Sequence, residues 1–183
     1  MLEIAVASIH SGLLSGHASR LDLSHYSEKL IEHRATFITL EISHRLRGCI
    51  GSLVAHRPLA EDISVNAFSA AFRDPRFNKL SNSEYDLLEI HISILSPPEK
   101  MLFDSEQSLL DQIKPGVDGL IISDQEYRGT FLPSVWDSLP NKADFFSELK
   151  QKAGLSKHYW SNTIQVERYS TFSFGKTIAE VIN

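Results

Sequence analysis

The chain contains a single cysteine, Cys49, held between Gly48 and Gly51 and preceded by Arg47 in the stretch Leu46-Arg47-Gly48-Cys49-Ile50-Gly51-Ser52. A thiol among bare backbone with a cation beside it is an arrangement that yields a nucleophile. The cation favours the thiolate, and glycine lets backbone and ligand approach where a side chain would block them. Residues two apart in a strand point to one face, so Arg47 is expected beside the Cys49 sulfur, where it would also hold an anionic ligand. The competing reading is a tight strand connection with a small apolar cysteine buried in it. Arg45 and Arg47 would then be solvated hairpin residues.

Two further stretches carry chemistry. Arg73-Asp74-Pro75-Arg76-Phe77 reads either as an anion clamp or as an ion-pair network that fixes a loop. In Arg128-Gly129-Thr130-Phe131-Leu132-Pro133-Ser134-Val135-Trp136 a strand runs into a helix start, whose free N–H groups can bind an anion. Against this, Phe131, Leu132 and Trp136 suit core anchors. His44, His56 and His91 are the candidate bases for Cys49, but His91 is in the middle of a strand, where a histidine is more often a hydrogen-bonded structural residue than a base. Among the eight histidines no two are two, three or four residues apart, so no compact zinc motif is present and no metal is expected, although folding can still assemble ligands from afar. Phosphate-loop, dinucleotide-fingerprint and nucleophile-elbow patterns are missing too, and no cofactor is implied.

The elements that must position these residues follow from periodicity and punctuation. Residues 2–15 pattern as an amphipathic helix ended by Gly16, and 21–34 is ambiguous between packed loop, short helical turn and strand lead-in. Thr36 to Ile42 alternates and is rich in β-branched residues, which predicts a strand. Ser43-His44-Arg45 then turns the chain, and Gly48 to Leu53 is its hairpin partner. Pro58 opens a helix whose alanines allow close packing, with Glu61 and Asp62 suited to its positive N-terminal end. That helix must stop by Asp74, ahead of Pro75. Leu87 to Leu95 is a further strand, Ser105 to Ile113 a short helix, and Val117 to Ser123 a strand paired with Tyr127 to Phe131. Lys142 to Ala153 is a helix closed by Gly154. Thr163 to Phe174 is one long extended segment. Strands and helices mix without a regular β-α-β beat, so the expected class is α+β, a largely antiparallel sheet flanked by helices.

Composition narrows the function classes. The 183 residues are 42% hydrophobic and 22% charged, enough for a substantial core. A net charge of −5 lacks the basic field that attracts phosphate backbones, which argues against nucleic acid as a partner. No run approaches the ~20 apolar residues of a membrane span, and the N-terminus lacks the charge pattern of a signal peptide. A lone cysteine forms no intrachain disulfide and suits a reducing cytoplasm, though it could link two chains, so oligomeric state stays open.

Taken together, the motifs resemble the AMMECR domain family, whose bacterial and archaeal members are called AmmeMemoRadiSam system protein A. The resemblance rests on Phe37-Ile38-Thr39-Leu40, Leu46 to Leu53, Asp74-Pro75-Arg76-Phe77, Ile92 to Pro97, Gly116 to Ile122, Thr130 to Trp136 and Lys152-Ala153-Gly154-Leu155, in the family's order over nearly the whole chain. It implies one AMMECR-type domain over residues 1–183, of two unequal lobes, the larger built from both chain ends, with a cleft between them near Arg47 to Gly51. It also implies companions, a Memo-like protein and a radical S-adenosylmethionine protein, but supplies no reaction. The chain departs from the pattern in its irregular lead-in, Leu23 to Arg34. At Phe172-Ser173-Phe174-Gly175-Lys176 it lacks the acidic residue expected after the aromatic pair. Two functions follow. In one, Cys49 is nucleophile or ligand contact, Arg47, Gly48, Gly51 and Arg76 hold an anionic substrate, and Thr130 lines the site. In the other, the chain is a non-catalytic module that docks the companion proteins.

Overall fold

The computed structural model describes residues 1–182. In chain order its elements are α1 (Leu2–Ser15), α2 (Glu28–Ile31), β1 (Thr36–Ile42), β2 (Arg45–Gly51), α3 (Leu59–Phe72), α4 (Asn82–Tyr85) and β3 (Leu88–Leu95). They continue with β4 (Glu99–Lys100), α5 (Glu106–Gln112), β5 (Gly119–Asp124), β6 (Tyr127–Phe131), α6 (Lys142–Lys152), β7 (Gln165–Tyr169), β8 (Thr171–Thr177) and α7 (Ile178–Ile182). Short 3₁₀ turns cover Leu23–His25 and Pro133–Asp137. The class is α+β, with two sheets. The chain divides into two compact units, Met1–Leu95 together with the segment from Phe172 onward, and Ser96–Thr171.

In the first unit the strand order is β2-β1-β3-β8, and β1 runs antiparallel to both neighbours. The Ser93 hydroxyl meets that of Ser173 at 2.8 Å, and the bare side of Gly175 faces the His91 ring. Residue numbers rise on β3 as they fall on β8, so this pair is antiparallel as well. Alternation in β1 and β3 buries Ile38, Leu40, Leu88, Ile90 and Ile92 on one face, against Ile4 and Ile9 of α1 and Ile63 and Ala67 of α3. Burying each such aliphatic side chain contributes about 1.5–3 kcal/mol. The α3 alanines bring the helix backbone so close to β2 that a Cβ on Gly48 would lie 2.2 Å from the Ala70 carbonyl oxygen.

Asp62 does more than favour the start of α3. Its carboxylate is fully buried and accepts from the Thr36 N–H (2.8 Å), the Thr36 hydroxyl (2.6 Å), Asn66 Nδ2 (2.9 Å) and Arg57 Nε (3.0 Å). A buried carboxylate so supplied is satisfied, and it ties α3 to the first residue of β1.

The second unit has strand order β4-β7-β5-β6, antiparallel throughout. Its core joins Leu120, Ile122 and Val166 to Phe145, Phe146 and Leu149 of α6. Trp136 stacks on Phe145 at 3.7 Å and donates its indole N–H to the Asp118 carbonyl (2.7 Å).

The long extended segment expected over 163–174 is two strands. β7 belongs to the second unit's sheet, β8 to the first's, and Ser170 between them donates its N–H to Ser96 Oγ (3.0 Å). The short helix α7 follows β8 and was not legible in the residue pattern.

Candidate functional site

The β1–β2 hairpin carries the cysteine. Its turn residues, Ser43 and His44, have φ of 51° and 59°, the left-handed geometry of a two-residue hairpin turn that matches strand twist. From there Thr39 pairs with Cys49 and Leu40 with Gly48, but Glu41 pairs with Leu46. Arg47 is the extra residue of a bulge. This corrects the expectation that Arg47 and Cys49 share a face with the guanidinium beside the sulfur, because a bulge breaks the two-residue alternation.

Arg47 instead turns to α4. Its Nε and Nη2 donate to the two Glu84 carboxylate oxygens at 2.7 and 3.1 Å, and Nη2 also reaches the Asn78 carbonyl at 2.9 Å. The side chain is 11% exposed, and Nη1 is enclosed without a hydrogen-bond partner. Arg47 holds the Glu84 carboxyl down to about 2, aided by the Ser81 N–H and against the effect of burial.

Cys49 is half-buried. Its sulfur accepts from the Thr39 hydroxyl across the hairpin at 3.3 Å. Its backbone is held by the loop after α3, where the Cys49 N–H donates to Asp74 Oδ2 at 2.9 Å. Arg76 donates to the same carboxylate from its N–H (3.1 Å), Nε (3.0 Å) and Nη2 (2.7 Å), and reaches the Cys49 carbonyl at 3.4 Å. Asp74 is buried whereas the Arg76 side chain is 54% exposed. Arg76 chiefly, and then the Cys49 N–H, holds the Asp74 carboxyl far below the usual carboxylate range although burial opposes it. Arg76 is in turn held charged, chiefly by its hydrogen bonds to Asp74. The cation that meets the Cys49 backbone is therefore Arg76, and Asp74 bridges the two.

The space beside both glycines is filled by the protein itself. Gly48 is buried under Ala70, and a Cβ on Gly51 would lie 2.4 Å from the Phe37 ring and from the Thr36 carbonyl oxygen. His44 and His56 are exposed. On β3, His91 pairs with Thr39 and so falls in the same cross-strand row as Cys49, on the sheet face away from the helices.

Thr130 lies in the second unit, on β6. Its hydroxyl donates to the Leu120 carbonyl (2.8 Å) and meets the Tyr169 hydroxyl at 3.0 Å. Burial pushes the Tyr169 phenol up to about 12. The following helix is a single 3₁₀ turn whose Trp136 is a core anchor. A cavity of about 350 Å³ in this unit, lined by Met101, Phe103, Trp160 and Ile164 among others, contains none of the residues of the cysteine motif. This cavity and the cysteine motif do not coincide.

Pattern reading overlooked Glu84, Thr39 and the bridging role of Asp74. Ser81 and Glu84 form a capping box, the Ser-x-x-Glu signature that is visible in the chain and marks α4. Nothing local announces that Glu84 also receives Arg47.

The sequence pattern that defines the AMMECR1 family matches residues 2–174. Protein MJ0810 of Methanocaldococcus jannaschii is 35% identical over 163 residues, which cover 85% of this chain and 79% of the relative. A protein of Saccharolobus islandicus is 34% identical over 170 residues, 86% of this chain and 73% of that one. The crystal structure of the uncharacterized protein PH0010 from Pyrococcus horikoshii superposes with a TM-score of 0.86 at 30% identity, covering 95% of this chain and 88% of the other. Among the described residues no helix is long and apolar enough to cross a membrane.

Proposed function

The chain belongs to the AMMECR1 family, and from that premise we propose that its first unit binds a small anionic molecule at Cys49, with the thiol as the reactive contact. The observation that carries this reading is the Cys49–Asp74–Arg76 junction. The residue is half-buried, its strand is pinned by a buried carboxylate, and the half-exposed guanidinium on that carboxylate has a free side to offer an anion. In this reading Arg47 positions β2 through Glu84, while Gly48 and Gly51 shape the strand from within. Thr130 forms no part of the proposed site, since its hydroxyl is engaged within its own unit. The single unpaired cysteine favours a reducing cytoplasm as its compartment.

The test compares alkylation of Cys49 by anionic iodoacetate and neutral iodoacetamide, in the folded protein and in the unfolded chain. The folded protein is expected to label without denaturation and to favour the anionic reagent relative to the unfolded reference. Arg76→Gln should remove that preference. Protection of Cys49 until the protein unfolds would end the proposal.

A second reading, docking of a partner protein, has its own observation. Phe172 on edge strand β8 is 67% exposed and tilted against Phe174 at 5.5 Å. An edge strand with an exposed aromatic can accept a partner strand. The Memo-like and radical S-adenosylmethionine companions implied by the resemblance are the proteins to try. Binding of either purified protein that is lost in Phe172→Ser would favour this reading, and no binding would remove it.

A further inference from the structure

On the sheet face away from the helices, Glu41 of β1 lies directly opposite Glu89 of β3, and His91 follows two residues on from Glu89. Like charges placed directly opposite on paired strands repel, and here both carboxylates are about 70% buried (29% and 30% exposed). Folding has drawn together groups that need a cation between them.

The His91 ring supplies the second observation. Its Nε2 atom is closed off from solvent and has no hydrogen-bond partner, although the ring as a whole is 36% exposed. Glu89 Oε1 lies only 3.1 Å from Nε2, yet off the axis along which an N–H could donate to it. Glu41 Oε2 lies 4.0 Å from the same nitrogen, and one ligand atom from each of the three residues falls within 4.8 Å of the others. Donor atoms about 2.0–2.2 Å from one ion stand roughly 3.0–3.5 Å apart, each aimed at the ion and none at its neighbour. The His91–Glu89 pair already has that separation and that misalignment, and Glu41 joins it by moving about 0.5–1 Å closer to Nε2, with its rotamer closing the remaining gap to Glu89. Gly175 of β8 backs the ring so closely that a Cβ there would lie 2.3 Å from Nδ1, which restrains the ring orientation.

We infer that Glu41, Glu89 and His91 form a binding site for a divalent first-row transition-metal cation. One imidazole and two carboxylates, without a thiolate, suit Mn²⁺, Fe²⁺, Co²⁺ or Zn²⁺ better than Ca²⁺ or Cu⁺. Three protein ligands leave further coordination positions for water or a substrate oxygen. His44 in the hairpin turn, with Nδ1 4.0 Å from Glu89 Oε2, is a candidate further ligand. The inference does not depend on the reactivity of Cys49.

The test titrates the metal-free protein with Co²⁺, read by visible absorption, and with Zn²⁺ in competition with a chromophoric chelator. The variants are Glu41→Gln, Glu89→Gln and His91→Ala, with His158→Ala as a control in the second unit. One equivalent of metal is expected to bind the wild type and His158→Ala alike. His91→Ala and Glu89→Gln should weaken binding at least about tenfold. Zn²⁺ should raise the melting temperature of the wild type and leave that of Glu89→Gln unmoved. Without metal, Glu41→Gln should melt no lower than the wild type, since it removes repulsion, and this shows that the variants fold. Equal binding by wild type and variants, or no stoichiometric binding, would overturn the site and leave His91 as a structural residue of the sheet.

Discussion

Substituting Asp74 with Asn keeps the shape of the side chain and removes what it does. The wild-type carboxylate receives two backbone N–H groups and two guanidinium nitrogens, with 2% of its side chain exposed. An amide has one acceptor oxygen, so its NH₂ must confront either the Cys49 N–H or the Arg76 N–H. Hydrogen bonds to a charged group contribute about 1.5–3 kcal/mol and neutral ones about 0.5–1.5. One backbone bond lost and the other reduced to a neutral one sum to about 3 kcal/mol. The guanidinium bonds are left out of that figure because Arg76 is half-exposed and screened. In urea at pH 7, with a slope near 2 kcal/mol per molar, the midpoint should fall by about 1.5 M. The pH dependence supplies an independent check. The folded Asp74 carboxyl lies below its ordinary value, so its stabilisation is fully present above the unfolded value of about 3.9 and is lost as pH falls below it. The gap between wild type and Asp74→Asn should therefore narrow below about pH 4. A loss under about 0.5 kcal/mol, or a gap that stays constant into acid, would refute the bridging role of Asp74.

Glu84→Gln should cost about 2 kcal/mol by chemical denaturation at pH 7, and that difference should shrink between about pH 4.5 and 2, because Arg47 holds the folded carboxyl near the lower figure. Gly48→Ala drives a Cβ against the Ala70 backbone oxygen, so a loss of about 3 kcal/mol or more, or failure to fold, is expected in thermal melts, while Ser43→Gly in the same hairpin should be neutral or stabilising. Ultraviolet titration should show one phenol ionising near 12 that disappears in Tyr169→Phe. Thr130→Val should lose about 1 kcal/mol while Thr130→Ser retains most of it, leaving Cys49 alkylation unchanged.

Local pattern carried most of the elements. The period of residues 2–15 with Gly16 after it, the alternation of Thr36 to Ile42, and the alanine face after Pro58 each express contacts or torsions close in sequence, and each element lies where the pattern put it. The family motifs reached further, because the spacing of a whole set of blocks is characteristic even where no single block is. What failed were inferences that needed register or long-range pairing. The bulge at Arg47 depends on how β2 meets β1, and it decides that Arg47 serves Glu84 rather than the sulfur. The split of residues 163–174 between two sheets is invisible locally, since both halves are extended and only their partners differ. Asp74 beneath the Cys49 N–H, Asp62 beneath Thr36, and His91 beside Glu41 join residues 25 to 50 positions apart, which no local window contains. The chain by itself determined the class of fold, the family, the lone thiol and the charged groups near it, because these follow from composition, periodicity and motif. Only the tertiary structure decided which cation meets the cysteine backbone and which carboxylates share a face with a histidine, because strand register and helix-to-sheet packing set those distances.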